Sequence, residues 1–211
     1  MTDTFDQFFH SAEPARDKYL ARLFGFFSEA VVRAWCACPA ATYVDLGRPT
    51  LCEPGQTRGH TIDFTLRHRD SDKRYVAELK CELEYEGYRY LCLTNADQLR
   101  HHTSLAFGKF LRLASDPTAL IVRRGGQPEN VDGAILVWGA VSPEGRTAAM
   151  TEHGLADVLS VETMLTDLQT WAPAEWTTFL DRYESWTGEL FGFMGRTHRR
   201  SAPLDDEPGP R

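Results

Sequence analysis

The chain lacks the features of a membrane-bound or secreted protein. No apolar run among its 211 residues is long enough to span a bilayer, and its N-terminus has no basic flank followed by an apolar stretch, as a secretory signal has. The five cysteines are an odd number without the spacing of a disulfide framework, which favours a reducing compartment. We therefore expect a cytoplasmic protein with no membrane partner.

Several common catalytic motifs are also missing. The chain has neither a glycine-rich motif that cradles phosphates nor the Gly-x-Ser-x-Gly turn that carries a nucleophilic serine. A four-ligand zinc site is an alternative on paper, although the paired Cys-x-x-Cys spacing of such sites is absent. Its ligands would be Cys36, Cys38, Cys52 and His60.

Lysine is scarce, and the chain as a whole is acidic. Only four of the 23 basic residues are lysines, and the net charge is −7 with a pI near 5.5. Domains that bind nucleic acid are usually basic, so any binding of DNA must come from local clusters of positive charge.

One of the four lysines, Lys80, lies within two segments of alternating polar and apolar residues between His60 and Tyr85. This alternation predicts two strands, because successive side chains of a strand point to opposite faces. In the second segment the pattern places Glu78 and Lys80 on one face and the apolar residues on the other.

Pairing the two apolar faces on one core restricts the register of the strands. A tight turn at Asp70-Ser71 would bring Asp63 of the first strand opposite Glu78 of the second. The same register pairs Ile62 with Leu79 and Phe64 with Ala77.

Two clustered carboxylates need a counter-charge, and Lys80 supplies one. A magnesium ion would supply another, since magnesium binds one or two carboxylates and completes its shell with water and phosphate. The alternative is an ordinary charged strand face, because a Glu-x-Lys triplet often occurs by chance.

Asp63 followed, after fourteen residues, by Glu78-Leu79-Lys80 resembles the core of the PD-(D/E)xK (restriction-endonuclease-like) nuclease superfamily. The residue before Asp63 is Ile62, where the superfamily signature has proline. The resemblance implies a metal-dependent nuclease that hydrolyses phosphodiester bonds of DNA with Mg²⁺ or Mn²⁺. Asp63, Glu78 and the carbonyl of Leu79 would bind the metal, and Lys80 would position or activate water.

The resemblance also suggests two auxiliary residues and a DNA-binding surface. Glu29 corresponds to a helical glutamate of many members, although Arg33 lies four residues later and predicts a surface ion pair. Gln98 resembles a glutamine found in an exonuclease-like subgroup. Candidate DNA-binding residues, any of which also suits a solvated charged surface, are Arg58, Arg67, Arg69, Arg74, Arg100 and His102.

Alternating helical and extended patterns predict an α/β protein with a restriction-endonuclease-like mixed central sheet flanked by helices, and with additional C-terminal helices. The predicted helices cover residues 14–38, 95–114, 161–169 and 173–194. The predicted strands, besides the hairpin, cover residues 42–46, 88–93 and 133–141, and a loop with glycine and proline precedes the hairpin.

Residues 1–195 are expected to form a single nuclease-like domain, and residues 196–211 a flexible polar tail. The last helix has a stripe of large apolar residues that favours core packing, with a homodimer contact as the second interpretation.

Two alternatives to an active nuclease stay open from the sequence. One is a catalytically inactive nuclease-fold module that binds nucleic acid or a partner protein in a defence or mobile-element system. The other is an unrelated protein with a chance motif, in which Asp63 and Glu78 lie too far apart to share an ion.

Overall fold

The long opening helix begins and ends where proline allows. In a computed structural model, which describes residues 5–81, 88 and 90–200 without the side chains of Asp6 and residues 196–200, this helix runs from Pro14 to Ala37. Pro14 occupies the first turn, where its missing N–H costs nothing, and Pro39 follows the end of the helix. The predicted helix over residues 14–38 is confirmed.

The described elements have the following bounds in chain order: α1 Phe5–Phe9, α2 Pro14–Ala37, β1 Tyr43–Asp45, β2 Thr50–Cys52, β3 Gly59–Thr61, β4 Phe64–His68, β5 Arg74–Lys80, β6 Cys92–Leu93, a 3-10 helix Ala96–His101, α3 Leu105–Ser115, β7 Ile121–Arg124, β8 Gln127–Glu129, β9 Gly133–Trp138, β10 Ala140–Val141, α4 Pro143–His153, β11 Asp157–Ser160, α5 Val161–Trp171 and α6 Ala174–Arg200.

The main sheet has five strands in the order β1-β4-β5-β9-β11. Strands β1, β4 and β5 form an antiparallel meander, and β9 and β11 continue the sheet in parallel to β5. A smaller sheet has the order β3-β2-β7-β8, and β6 pairs with β10. The mixed α/β class predicted from the sequence is confirmed.

The predicted hairpin register is confirmed where the strands pair. Phe64 lies opposite Ala77 and Arg67 opposite Arg74. The predicted two-residue turn is wrong, because the His68 N–H donates to the Lys73 carbonyl at 2.9 Å and four residues lie between them. Asp72 closes this loop with a φ of 58°, a conformation that aspartate tolerates better than most residues do.

The first predicted strand is two strands in two sheets. Residues Gly59–Thr61 pair with β2 in the smaller sheet, and Phe64–His68 pair with β5 in the main sheet. The chain changes sheets at Ile62-Asp63, so the predicted common face of Ile62 and Phe64 is wrong. Ile62 instead belongs to the buried cluster around Val76.

Helices cover both faces of the main sheet. Helix α2 lies on the face of Phe64, whose ring is 5.5 Å from the Arg33 guanidinium. Helix α3 contacts β5 and β9 on the opposite face, where Phe107 joins a core cluster with Leu136 and Val76. The face that carries Glu78 is therefore not the solvent-exposed polar face expected from alternation.

Other elements differ from the predictions in their boundaries. The helix predicted for residues 95–114 is divided into a 3-10 helix and α3, because the Ser104 hydroxyl accepts the Phe107 N–H and starts a new helix. The strand predicted for residues 133–141 divides at Gly139, and β6 pairs with β10 instead of extending the main sheet.

The chain divides into two compact units between Thr170 and Trp171, and α6 lies in the second unit. In the second unit, rings of α6 contact one another in succession from Trp176 through Phe179 and Tyr183 to Trp186. Core packing and dimer contact both stay predictions for this helix. The backbone of α6 continues to Arg200, and the polar tail over residues 196–211 stays a prediction. Residues 201–211 of the predicted tail lie outside the residues that the structure describes.

The described helices include none that is long and apolar enough to cross a membrane.

Candidate functional site

Asp63 and Glu78 lie close together, and the main chain of β5 holds the Asp63 carboxylate. The Leu79 N–H donates to Asp63 Oδ2 at 2.9 Å. The negative charge of Asp63 raises the pKa of Glu78, which places the two acids near each other. The hydrogen bond from Leu79 joins Asp63, just before β4, to the end of β5. The alternative in which Asp63 and Glu78 lie far apart is therefore not supported.

Lys80 lies beside these acids on the same face of β5. Its Nζ atom is 2.7 Å from Glu78 Oε1 and 5.5 Å from the centre of the Phe107 ring on α3. The lysine side chain is 20% exposed, so its ammonium is partly shielded but still reaches solvent. A carboxylate and an aromatic face both attract the cation, which fixes its position.

Parallel pairing with β9 accounts for the burial of this face. Glu78 lies opposite Leu136, and Lys80 lies opposite Trp138. Leu136 and Trp138 belong to the core cluster beneath α3. The acid and the lysine thus interrupt an otherwise apolar surface at the carboxyl end of a parallel strand, where α/β proteins commonly bind ligands.

The Glu78 carboxyl group is costly to ionise. Its side chain is only 7% exposed. Burial raises the pKa of Glu78 above its ordinary value of 4.5, and the negative charge of Asp63 raises it further. Lys80 opposes both effects without cancelling them. Ionisation of Glu78 beside Asp63 therefore stays unfavourable even with Lys80 in contact.

Glu129 shows that burial does not by itself raise the pKa of a carboxyl group. Its side chain is also 7% exposed, yet hydrogen bonds from Arg124 and an ion pair with Arg74 lower its pKa. The Nε atom of Arg124 and the Nη1 atom of Arg74 lie 2.7 and 2.8 Å from its carboxylate. Glu129 is a satisfied structural acid, whereas Glu78 has a second acid beside it.

The predicted auxiliary residue Glu29 reaches the site through Arg48. Arg48 Nη2 lies 3.1 Å from Asp63 Oδ1 and 3.7 Å from Glu29 Oε1. The surface pair expected from helical spacing is also present, since Arg33 Nη2 is 2.9 Å from Glu29 Oε2. The structure thus brings Glu29 close to the acids and also confirms its pairing with Arg33.

Arg48 and Phe107 belong to the site but were not predicted from the sequence. Arg48 reaches Asp63 because main-chain hydrogen bonds tie its loop to β4: Leu46 N–H donates to Thr65 O at 2.8 Å, and Thr65 N–H to Gly47 O at 2.7 Å. The signal available in the sequence was Gly47-Arg48-Pro49, which combines a flexible and a rigid residue around an arginine.

A hard divalent cation fits the two carboxylates. Within the described residues, no group of three or more His, Cys, Asp or Glu side chains is placed to hold one metal ion. The ligands implied by the sequence resemblance, Asp63, Glu78 and the Leu79 carbonyl with water and phosphate in the other positions, therefore stay a prediction. Magnesium uses such mixed shells of carboxylate, water and phosphate oxygens. Because no group of three or more such side chains is found among the described residues, the zinc site of Cys36, Cys38, Cys52 and His60 is also disfavoured.

Gln98 has a local structural role. Its Oε1 atom accepts the Thr94 N–H at 2.6 Å and the Asn95 N–H at 3.1 Å, and its Nε2 donates to the Cys92 carbonyl at 3.0 Å. These contacts hold the turn before the 3-10 helix. An additional role of Gln98 in the site stays a prediction.

Two of the predicted DNA-binding residues are held by acids near the hairpin loop. Arg67 pairs with Asp72, and Arg74 pairs with Glu129, both at 2.8 Å. Both arginines lie at the end of the hairpin opposite Asp63 and Glu78.

The other four lie elsewhere. Arg69 donates to the carbonyls of Cys36, Cys38 and Ala41, at the C-terminal end of α2. The ring of His102 packs 5.0 Å from Phe107. Arg58 is exposed, and Arg100 is exposed with Asp97 at 3.2 Å.

Comparisons with models of protein families, with curated proteins and with solved structures found no match to this chain.

Proposed function

We propose that this protein is a metal-dependent nuclease that hydrolyses phosphodiester bonds of DNA. The observation that carries the proposal is the Glu78 carboxylate, which is buried beside a second acid, Asp63, with Lys80 on the same strand face. A structural acid is expected to have its charge balanced, as Glu129 has. A buried acid at a strand end that stays costly to ionise beside a second acid instead suits a site that receives a cation.

The order of elements supports a restriction-endonuclease-like fold. The expected core is an opening helix, a meander of three strands, a second helix and a further strand. Helix α2, the antiparallel strands β1, β4 and β5, helix α3 and the parallel strand β9 follow this order, with β2, β3 and other short strands added between them. Asp63 immediately precedes the second strand of the meander, and Glu78 and Lys80 lie on the third.

The residues have distinct roles in this proposal. Asp63, Glu78 and the Leu79 carbonyl bind Mg²⁺ or Mn²⁺, which when bound lowers the pKa of a water and neutralises charge on the phosphate. Lys80 orients the attacking water and stabilises negative charge on the phosphate oxygens. Phe107 and Glu78 keep its ammonium in place between them.

DNA is the proposed partner despite the acidic chain. Phosphate contacts need only local positive charge. Of the six candidate residues, we propose that the exposed Arg58 and Arg100 contribute most to phosphate binding. Arg69 contributes least, because its guanidinium already donates to three main-chain carbonyls.

Cleavage assays test the proposal directly. Supercoiled, linear and single-stranded DNA are incubated with the purified protein in Mg²⁺, Mn²⁺ or EDTA. We expect cleavage that needs the metal and that is lost in Asp63→Asn. Asp45→Asn is the matched control, because Asp45 and Asp63 are 17% and 18% exposed and each accepts a main-chain N–H.

Cleavage that persists in EDTA or in folded Asp63→Asn contradicts the proposed mechanism. If the folded wild-type protein cleaves none of the three DNA forms, the inactive nuclease-fold module becomes the better interpretation. Stabilisation of the fold by Mg²⁺ separates the two cases further, since only a retained metal site binds the ion.

A further inference from the structure

Arg48 faces the Asp63 carboxylate. Its guanidinium lies between two acids, 3.1 Å from Asp63 Oδ1 and 3.7 Å from Glu29 Oε1. The other Asp63 oxygen accepts the Leu79 N–H. Arg48 therefore contacts the Asp63 oxygen that the main chain leaves available.

The loop that carries Arg48 is fixed, while its side chain is not enclosed. Main-chain hydrogen bonds hold the loop on both sides, from Thr65 N–H to Gly47 O and from Ile62 N–H to Pro49 O at 2.9 Å. Pro49 also restricts the backbone of Arg48 to extended conformations. The Arg48 side chain is 50% exposed, so the guanidinium can leave Asp63 without movement of the backbone.

We infer that Arg48 exchanges partners during the reaction: it neutralises Asp63 before the metal binds, and it binds a DNA phosphate afterwards. This inference rests on the proposed nuclease function. A divalent cation at Asp63 repels a guanidinium in contact with the same carboxylate. A phosphate at the metal offers that guanidinium two acceptor oxygens, which its fork of donors matches.

The exchange predicts that a single substitution, Arg48→Gln, strengthens metal binding and weakens DNA binding. Arg48→Gln removes the competing charge, so the protein should bind Mn²⁺ more tightly, by about five- to tenfold for one charge near the site. The same variant should bind DNA more weakly. The slope of log DNA affinity against log salt concentration should become shallower by about one, which corresponds to the loss of one phosphate contact.

Arg33→Gln is the matched control. Arg33 shares the partner Glu29 with Arg48, and the two arginines are 45% and 50% exposed. Arg33 otherwise lies near Asp45 and over the Phe64 ring. Its removal should leave Mn²⁺ affinity within about twofold of the wild-type value, because it is not the charge beside Asp63.

Isothermal titration calorimetry with MnCl₂ measures the metal affinity. Fluorescence anisotropy measures the binding of a labelled DNA duplex in Ca²⁺ at several salt concentrations. Arg48→Lys retains the charge and should keep Mn²⁺ affinity near the wild-type value. Circular dichroism shows that each variant is folded.

The outcomes separate the inference from the function on which it rests. Equal Mn²⁺ affinity in the wild type and Arg48→Gln, or an Arg48→Lys variant that behaves like Arg48→Gln, overturns the partner exchange and leaves the nuclease proposal intact. No Mn²⁺ binding by the folded wild type and by every variant overturns the metal site itself.

Discussion

Replacing Lys80 by alanine should slow metal-dependent DNA cleavage by about 10²- to 10⁴-fold, the usual contribution of a group that positions or transfers a proton. The Lys80 ammonium lies 2.7 Å from Glu78 and over the face of Phe107, so its position is fixed before the substrate binds. The loss should be in kcat, measured with saturating DNA and Mn²⁺, because Lys80 is not a metal ligand.

Lys109 provides a close control for this substitution. Lys109 and Lys80 are 18% and 20% exposed, and each pairs with one glutamate, Lys109 with Glu53 at 3.5 Å. Lys109→Ala should retain a rate within about twofold of the wild type, as expected for a surface ion pair. Similar losses in the two variants would show that Lys80 has no special role in the chemistry.

Replacing Glu78 by glutamine should stabilise the fold at neutral pH. Because the pKa of Glu78 is raised in the folded state, the folded protein holds a proton that the unfolded chain releases near the ordinary value of 4.5. Ionisation of Glu78 therefore costs stability as the pH rises from 4.5 through the raised pKa. Glutamine removes this cost and still accepts a hydrogen bond from Lys80.

Glu129→Gln should have the opposite effect. The pKa of Glu129 is lowered by hydrogen bonds from Arg124 and by Arg74, so its charge contributes stability above its ordinary value of 4.5, and this contribution is lost as the pH falls through the lowered pKa. At pH 7 we expect a gain for Glu78→Gln and a loss for Glu129→Gln, each on the order of 1 kcal/mol.

Urea denaturation at pH 7 and pH 4, in EDTA, measures both free energies of unfolding. The gain from Glu78→Gln should disappear at pH 4, where the carboxyl group is already protonated in the folded protein. A loss of stability in Glu78→Gln at pH 7 would mean that Lys80 compensates the charge fully. Glu78 would then be a structural acid like Glu129.

The register of the hairpin could be predicted because it depends on local pattern. Apolar residues alternate with Asp63 and Glu78, and a one-residue shift would turn a whole strand over, so the pairing that keeps both apolar faces together is restricted. The four-residue loop between His68 and Lys73 preserves that pairing even though the turn itself was mispredicted. The central acids of the site were thus accessible from alternation alone.

The rest of the site depends on contacts between distant segments. Phe107 contacts Lys80 because α3 covers the face of Glu78, and alternation cannot show that a charged strand face is covered. Arg48 reaches Asp63, fifteen positions later in the sequence, because main-chain hydrogen bonds join its loop to β4. The change of sheet at Ile62-Asp63 could not be predicted either, because the alternating pattern treats the whole segment as one strand.

The position of a bound Mn²⁺ ion tests most directly the claim that Asp63 and Glu78 form a metal site. Crystals grown without metal and then soaked in MnCl₂ are measured for anomalous scattering from manganese. We predict a peak in contact with the Asp63 and Glu78 carboxylates, with Arg48 displaced from Asp63 Oδ1. A fully soaked crystal without a peak at these carboxylates, with Arg48 still bound to Asp63, would contradict the account.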